Sequence, residues 1–284
     1  MPASRTFARA CALVLGLACA GSRSSMAAAD APTDAYPDVA AAYWVELDGR
    51  PLWAGRADTR LPMASLAKLM AALVAVEQGD PDAWVEVSAG AAAETGTRIG
   101  LRRGEHVTRR DLLLAAMVRS ANDACRALAD DVGAAVDAGD PTGAFVARMN
   151  ARAAELGLSD THYANPCGHD DSAQHTSARD LAVLSRAVLA EPVLADAAQR
   201  REIRIATARG RILSARSTNA LLTDLAGARG LKTGTTPAAG RCLVAIVERD
   251  GHRVLAVLLH APERWWDSVG LVELAFETAA ASIR

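Results

Sequence analysis

Two Asp-Gly dipeptides, Asp48-Gly49 and Asp250-Gly251, stand near opposite ends of a 284-residue chain, each between runs of strand-forming residues. Asp-Gly is a turn dipeptide because both of its residues tolerate the positive φ that a tight hairpin turn demands. The spacing therefore predicts one β-hairpin from Ala41–Leu47 and Pro51–Ala54, and a second from Cys242–Glu248 and Arg253–Leu259. Between them the apolar period changes to that of helices. Leu66, Leu69, Met70 and Leu73 follow Ser65 at helical spacing, and Thr108 stands as a cap before Leu112, Leu113 and Ala116. Ala144–Leu156, Ser177–Leu189 and a final stretch from about Glu263 to Ala280 read the same way. Strands at both ends and helices between them point to one sheet built from the two hairpins, with a helical insertion at about 80–215 and a cleft where they meet. A chain of this length buries one core or two layers sharing a cleft, and no linker separates a second domain, so 30–284 is expected to form a single catalytic domain.

The first 29 residues read as an address. Arg5 and Arg9 precede the short apolar run Ala10–Ala20, and Ala-x-Ala cleavage sites end at Ala20 and at Ala29. The apolar run is too short to cross a bilayer, which needs about 20 residues. Cys19 as a lipid-bearing N-terminus is a rarer reading, since Gly16 fits the lipoprotein pattern poorly. The chain is thus expected to be exported and periplasmic or extracytoplasmic, with no membrane-spanning segment in the mature protein. Export leaves Cys125, Cys167 and Cys242 in an oxidising compartment. Three cannot all pair, which leaves room for one disulfide with its partners open. A net charge of −2 and 4% aromatic residues argue against nucleic acid as a partner.

Chemistry is concentrated in three short motifs. Ser65-Leu66-Ala67-Lys68 places a hydroxyl and an amine on one helix face, beside a helix N-terminus whose free N–H groups favour an anion. A serine alcohol needs a neighbouring base, and a lysine becomes one where burial and a nearby cation lower its pKa. Ser120-Ala121-Asn122 and Lys232-Thr233-Gly234 follow. Of 31 lysines and arginines, only Lys68 and Lys232 are lysines. Arginine cannot serve as a general base, so the rule of arginine elsewhere is broken where the chemistry of Lys68 requires it.

The order S-x-x-K, S-x-N, K-T-G resembles the signature of penicillin-binding proteins and class A β-lactamases. The surrounding residues narrow this resemblance. They include Pro62-Met63-Ala64 before Ser65, Asp123-Ala124 after Asn122, Asn165-Pro166 with Gly168, Ser177-Ala178-Arg179-Asp180-Leu181, and Gly230-Leu231 before Lys232. Together they resemble the low-molecular-mass penicillin-binding proteins of the D-alanyl-D-alanine carboxypeptidase family. The resemblance implies an α/β (α+β) fold of the β-lactamase/transpeptidase type. It implies a DD-peptidase acting on peptidoglycan stem peptides, inhibited by β-lactams and needing no metal or organic cofactor. Ser65 would be the nucleophile and Lys68 its base. Ser120 would shuttle protons, and Asn122 would hold the substrate amide. Lys232, Thr233 and Gly234 would receive the terminal carboxylate, the N–H groups of Ser65 and Thr235 the oxyanion, and Arg264 would be a further carboxylate-binding group. The chain stops soon after the catalytic unit, so the C-terminal anchor domain of longer members is not expected. Cys167, Gly168, His169 and Thr176 depart from the family's usual residues along one wall of the implied cleft.

Rival readings meet specific obstacles. Thr97-Arg98 and Ser217-Thr218-Asn219 resemble DD-endopeptidases that cut cross-links, whereas Ser120-Ala121-Asn122-Asp123 favours the carboxypeptidase branch. A class A β-lactamase needs Glu-x-x-Leu-Asn, and Glu191-Pro192-Val193-Leu194 is followed by Ala195. His106, His162, His169, His175, His252 and His260 form no HExxH zinc motif. His162 and His175 are read instead as structural hydrogen-bonders. A non-catalytic wall-binding protein would have had no need to keep both lysines.

Overall fold

The computed structural model describes residues 34 and 36–281; the expected leader and the Cys19 alternative lie outside the described residues. Strand β1 (Ala42–Leu47) turns through Asp48 and Gly49 into β2 (Arg50–Gly55). Both turn residues have positive φ, 52° and 78°, as the dipeptide predicted. A 3₁₀ turn, Ala64–Leu66, then opens α1 (Ala67–Glu77). There follow β3 (Trp84–Glu86), α2 (Ala89–Ala93), β4 (His106–Thr108) and α3 (Arg109–Leu114). A π-helical turn, Ala115–Arg119, leads to α4 (Asn122–Ala134), α5 (Pro141–Glu155), α6 (Ala178–Ala190) and α7 (Pro192–Gln199). The chain returns through β5 (Glu202–Ala206), β6 (Ile212–Arg216) and α8 (Leu221–Asp224) to β7 (Ala228–Thr236), β8 (Gly240–Arg249), β9 (His252–Leu259) and α9 (Arg264–Ala281).

Local chemistry sets the helix starts. Thr108 Oγ1 accepts from the Asp111 amide at 3.2 Å, and Ser177 Oγ accepts from Asp180 at 3.1 Å, satisfying amides that the helix leaves without partners. Asp140 caps α5 ahead of Pro141, which has no N–H to lose.

The two hairpins lie side by side in one antiparallel sheet of order β2-β1-β9-β8-β7, with Trp44 opposite Val257. The sheet has one strand more than the hairpins supply: β7, which carries Lys232-Thr233-Gly234 and forms an edge. Its glycines and polar residues hide the alternation by which a strand is recognised in sequence. Two further small pairs, β3–β4 and β5–β6, stand within the stretch expected to be helical.

Alternation along the central strands feeds two cores. Cys242, Val244 and Ile246 join Leu255, Val257 and Leu259 against the helical half. Leu243, Ala245 and Val247 face the other way with Val254, Ala256 and Leu258, under Leu271, Val272 and Ala275 of α9. A sheet covered on both faces reads as an unbroken apolar run, as these strands do. Helix α1 is the other central element: every residue from Leu66 to Ala75 is buried, including Lys68. A helix apolar all round belongs inside a core, and one amine placed there is costly unless it is hydrogen-bonded.

Candidate active site

The 3₁₀ turn presents Ser65 at the head of α1, and the first turn of that helix carries Lys68 three residues on. Lys68 is fully buried, and its Nζ lies 3.0 Å from Ser65 Oγ. Its other partner is the backbone carbonyl of Cys167, supplied by the loop between α5 and α6. The same loop brings Gly168 against the turn. A Cβ there would stand 2.0 Å from the Ala64 carbonyl oxygen, and its φ of +86° is one that glycine adopts freely.

Ser120 sits between the π-helical turn and α4 with φ 62° and ψ 32°, a left-handed conformation that costs a non-glycine residue about 1–2 kcal/mol. π-Helical turns and strained residues of this kind concentrate at functional sites. The conformation aims the Ser120 hydroxyl at Lys232, whose Nζ donates to it at 2.8 Å and to the Thr233 carbonyl at 2.9 Å. Lys232 is 1% exposed. Burial, and after it the charge of Lys68, hold its pKa well below that of a free lysine, with Arg264 adding to the effect.

Asn122 opens α4. Its amide nitrogen Nδ2 donates to the Thr95 carbonyl at 2.6 Å, while Oδ1 is buried with no partner among the described residues. Asp123 anchors the facing loop by accepting from the amides of Ile99, Gly100 and Leu101 at 3.1, 2.8 and 2.9 Å.

The third motif closes the site. On β7, a Cβ at Gly234 would lie 2.9 Å from Ala64 Cβ and 3.1 Å from the Ser65 nitrogen, so the strand and the serine turn are in direct backbone contact. Thr233 Oγ1 meets Thr218 Oγ1 at 2.8 Å, and Thr235 Oγ1 donates to the Gly234 carbonyl at 2.7 Å. Arg264, the first residue of α9, donates from Nη1 to that carbonyl and to Thr235 Oγ1, both at 2.8 Å, and stacks over Trp265. Burial lowers its pKa. Asp170 spans from the 165–175 loop to the β7–β8 turn, accepting from Thr236 Oγ1 at 2.5 Å and from the Ala238 amide at 3.1 Å.

All nine residues singled out in the sequence therefore lie on elements that touch one another. Sequence reasoning missed the Cys167 carbonyl, the glycine contact at 168 and the Asp170 bridge, although the departures at Cys167-Gly168-His169 had marked that wall. His162 and His175 pair across an isolated antiparallel bridge with stacked rings, and His169 Nε2 meets Glu94 Oε2 at 2.8 Å. A wide surface hollow lined by Glu46, Arg186, Arg249 and Asp250 lies at the hairpin-turn end of the sheet, where Arg186 pairs with Glu46 and Arg249 with Glu273.

Comparison with known proteins agrees with this geometry. DacD of Salmonella typhimurium, a D-alanyl-D-alanine carboxypeptidase, is 36% identical over 241 residues, covering 79% of this chain and 59% of that protein. The chain thus spans about three fifths of the length of that curated relative. DacB2 of Mycobacterium tuberculosis, named likewise, is 32% identical over 251 residues and 84% of each chain. A D-alanyl-D-alanine endopeptidase of Escherichia coli is 31% identical over 273 residues, 92% of this chain and 84% of that one. Among solved structures, the Streptomyces K15 DD-transpeptidase superposes with a TM-score of 0.79 at 29% identity, covering 84% of this chain and 97% of its own. Penicillin-binding protein D2 of Listeria monocytogenes in its ampicillin-bound form gives 0.71 at 30% identity, covering 86% and 100%. Residues 29–263 match peptidase family S11, and the chain belongs to that family, the D-alanyl-D-alanine carboxypeptidases.

Proposed function

We propose that this chain is a serine DD-carboxypeptidase that removes the terminal D-alanine of peptidoglycan stem peptides through an ester on Ser65. The observation that carries the reading is the pair of buried contacts, Lys68 Nζ to Ser65 Oγ at 3.0 Å and Lys232 Nζ to Ser120 Oγ at 2.8 Å, beside an edge strand. An edge strand offers unpaired backbone groups to an extended peptide. Charge sets the direction of that peptide: its terminal carboxylate goes to Lys232, Thr233 and Gly234, with Arg264 bracing the strand behind them. A carboxylate beside Lys232 stabilises its ammonium form, so binding is coupled to proton uptake there. The buried Oδ1 of Asn122 accepts a substrate amide N–H, and its lack of any other partner makes that bond worth more than one formed in water.

Ser65 Oγ attacks the carbonyl carbon of the penultimate D-alanine while Lys68 takes its proton. The oxyanion is received by the N–H groups of Ser65 and Thr235, where losing one donor costs roughly 3–4 kcal/mol. The proton passes by way of Ser120 to the departing amine, the C–N bond breaks, and D-alanine leaves. Water then attacks the ester, Lys68 accepts its proton, and Ser65 is restored. β-Lactams, shaped like the D-alanyl pair, acylate the same oxygen. The reading includes export by the 1–29 leader, a single catalytic domain at 30–284 and an extracytoplasmic site of action. No helix among the described residues is long and apolar enough to cross a membrane.

The test is release of free D-alanine from an N-acylated peptide ending in D-Ala-D-Ala. The native protein releases one per peptide and Ser65→Ala none; equal release by both, or none by the native protein, overturns the proposal. A second reading, DD-endopeptidase, is supported by the Thr218–Thr233 contact, since Thr218 lies in the stretch that resembles that branch. Cleavage of a cross-linked dimer faster than of the pentapeptide would favour it.

A further inference from the structure

Two cysteines face one another behind the reacting residues. Cys125, on α4, donates from Sγ to the Pro166 carbonyl at 3.4 Å, and Cys167 donates from Sγ to the Asn122 carbonyl at 3.6 Å. Each sulfur rests on the backbone that carries the other, and the two thiols are near enough for Cys125 to raise the pKa of Cys167. Both are buried free thiols. Cys242 is placed differently, its thiol donating to the Ala239 carbonyl of its own β-turn at 3.5 Å. The backbone around the pair holds two parts of the site: the Cys167 carbonyl accepts from Lys68, and Asn122 belongs to the second motif.

We propose that Cys125 and Cys167 form a disulfide that ties α4 to the 165–175 loop beneath Lys68, with Cys242 left as a thiol. Two S–H bonds break and one S–S bond forms; two protons and two electrons pass to a disulfide-bearing oxidant, which leaves as two thiols. In the folded protein burial, and next the neighbouring Cys125 thiol, push the Cys167 thiol well above its usual pKa. The thiolate that must attack an oxidant is therefore scarce after folding, and the bond forms as the chain folds. In the cell this rests on the extracytoplasmic location proposed above, where disulfides persist. The chemistry itself is testable apart from that location and from any peptidase activity.

The chain is refolded from denaturant in a buffer of reduced and oxidised glutathione, its free thiols are alkylated, and it is digested with trypsin without reduction. The expected product is peptide 120–126 joined to peptide 153–179, with Cys242 alkylated. Closing a loop of roughly 40 residues implies that reduction lowers Tm by about 5–10 °C. Cys125→Ser removes the joined peptide and leaves both Cys167 and Cys242 alkylated. Alkylation of both Cys125 and Cys167 in correctly refolded native protein, a cross-link that includes Cys242, or a Tm unmoved by reduction overturns the proposal.

Discussion

Gly234 should be hard to replace, because its strand is packed directly against the serine turn. A methyl group there would stand 2.9 Å from Ala64 Cβ, 3.1 Å from the Ser65 nitrogen and 3.2 Å from the Met63 carbonyl oxygen. Carbon atoms pack at about 3.5–4.0 Å, so the strand and the serine turn must part by roughly 0.5–1 Å. Neither yields easily. Gly234 is paired with Cys242 in the β7–β8 ladder, and Gly168 also packs closely against the serine turn. Overpacking of this kind costs about 1–3 kcal/mol, which in a domain of this size lowers Tm by roughly 3–10 °C. The larger effect falls on rate: a displacement approaching 1 Å at the nucleophile costs about 100-fold. Gly234→Ala is expected to slow acylation by a fluorescent penicillin by about that factor while the protein still melts in one cooperative transition. Stopped-flow labelling and a thermal melt on the same sample measure both. Native acylation rates with an unchanged Tm would refute the contact between strand and turn.

Three other outcomes follow from the same geometry. Lys68→Arg replaces the amine that lies against the Ser65 hydroxyl with a guanidinium that cannot take its proton, so D-alanine release should fall roughly 10²–10⁴-fold; a loss under tenfold would exclude Lys68 as the base. Lys232 binds a carboxylate in its ammonium form, and its pKa is depressed by burial and then by Lys68. Binding is therefore present below that pKa and lost as pH rises through it, so kcat/KM for a carboxylate-ended peptide should fall well below pH 10.5, the value of a free lysine. A peptide with its terminal carboxylate amidated should lack that limb. Asp123→Ala strands the amides of Ile99, Gly100 and Leu101, which should cost about 3–5 kcal/mol and lower Tm by roughly 10 °C; a melt within 2 °C of native, roughly the shift 1 kcal/mol brings, would contradict that role.

The candidate site was legible because its side chains are grouped in three short runs, and because Lys68 and Lys232 break a rule of arginine kept everywhere else. The two hairpins were legible through Asp-Gly turns whose residues adopt the positive φ their identity allows. Contacts made by backbone were not. The carbonyl that receives Lys68 comes from 99 residues away, and no side chain at Cys167 advertises it. Gly168 and Gly234 are defined by what a methyl group would strike, which requires the partner turn to be known. The left-handed Ser120 follows a π-helical turn that no periodicity announces. The β5–β6 hairpin did leave a trace: Ile203 and Ile205 alternate with exposed Glu202 and Arg204 at a strand's period. Its apolar residues were too few to stand out among the helices on either side.

The account depends on one oxygen becoming esterified. Benzylpenicillin is added to the native protein, the complex is denatured in acid to preserve the ester, and the tryptic peptides are weighed. One whole penicillin on peptide 61–68, assigned by fragmentation to Ser65 and absent from Ser65→Ala, is the predicted result. An adduct on any other residue, or the same adduct on the alanine variant, would contradict the account.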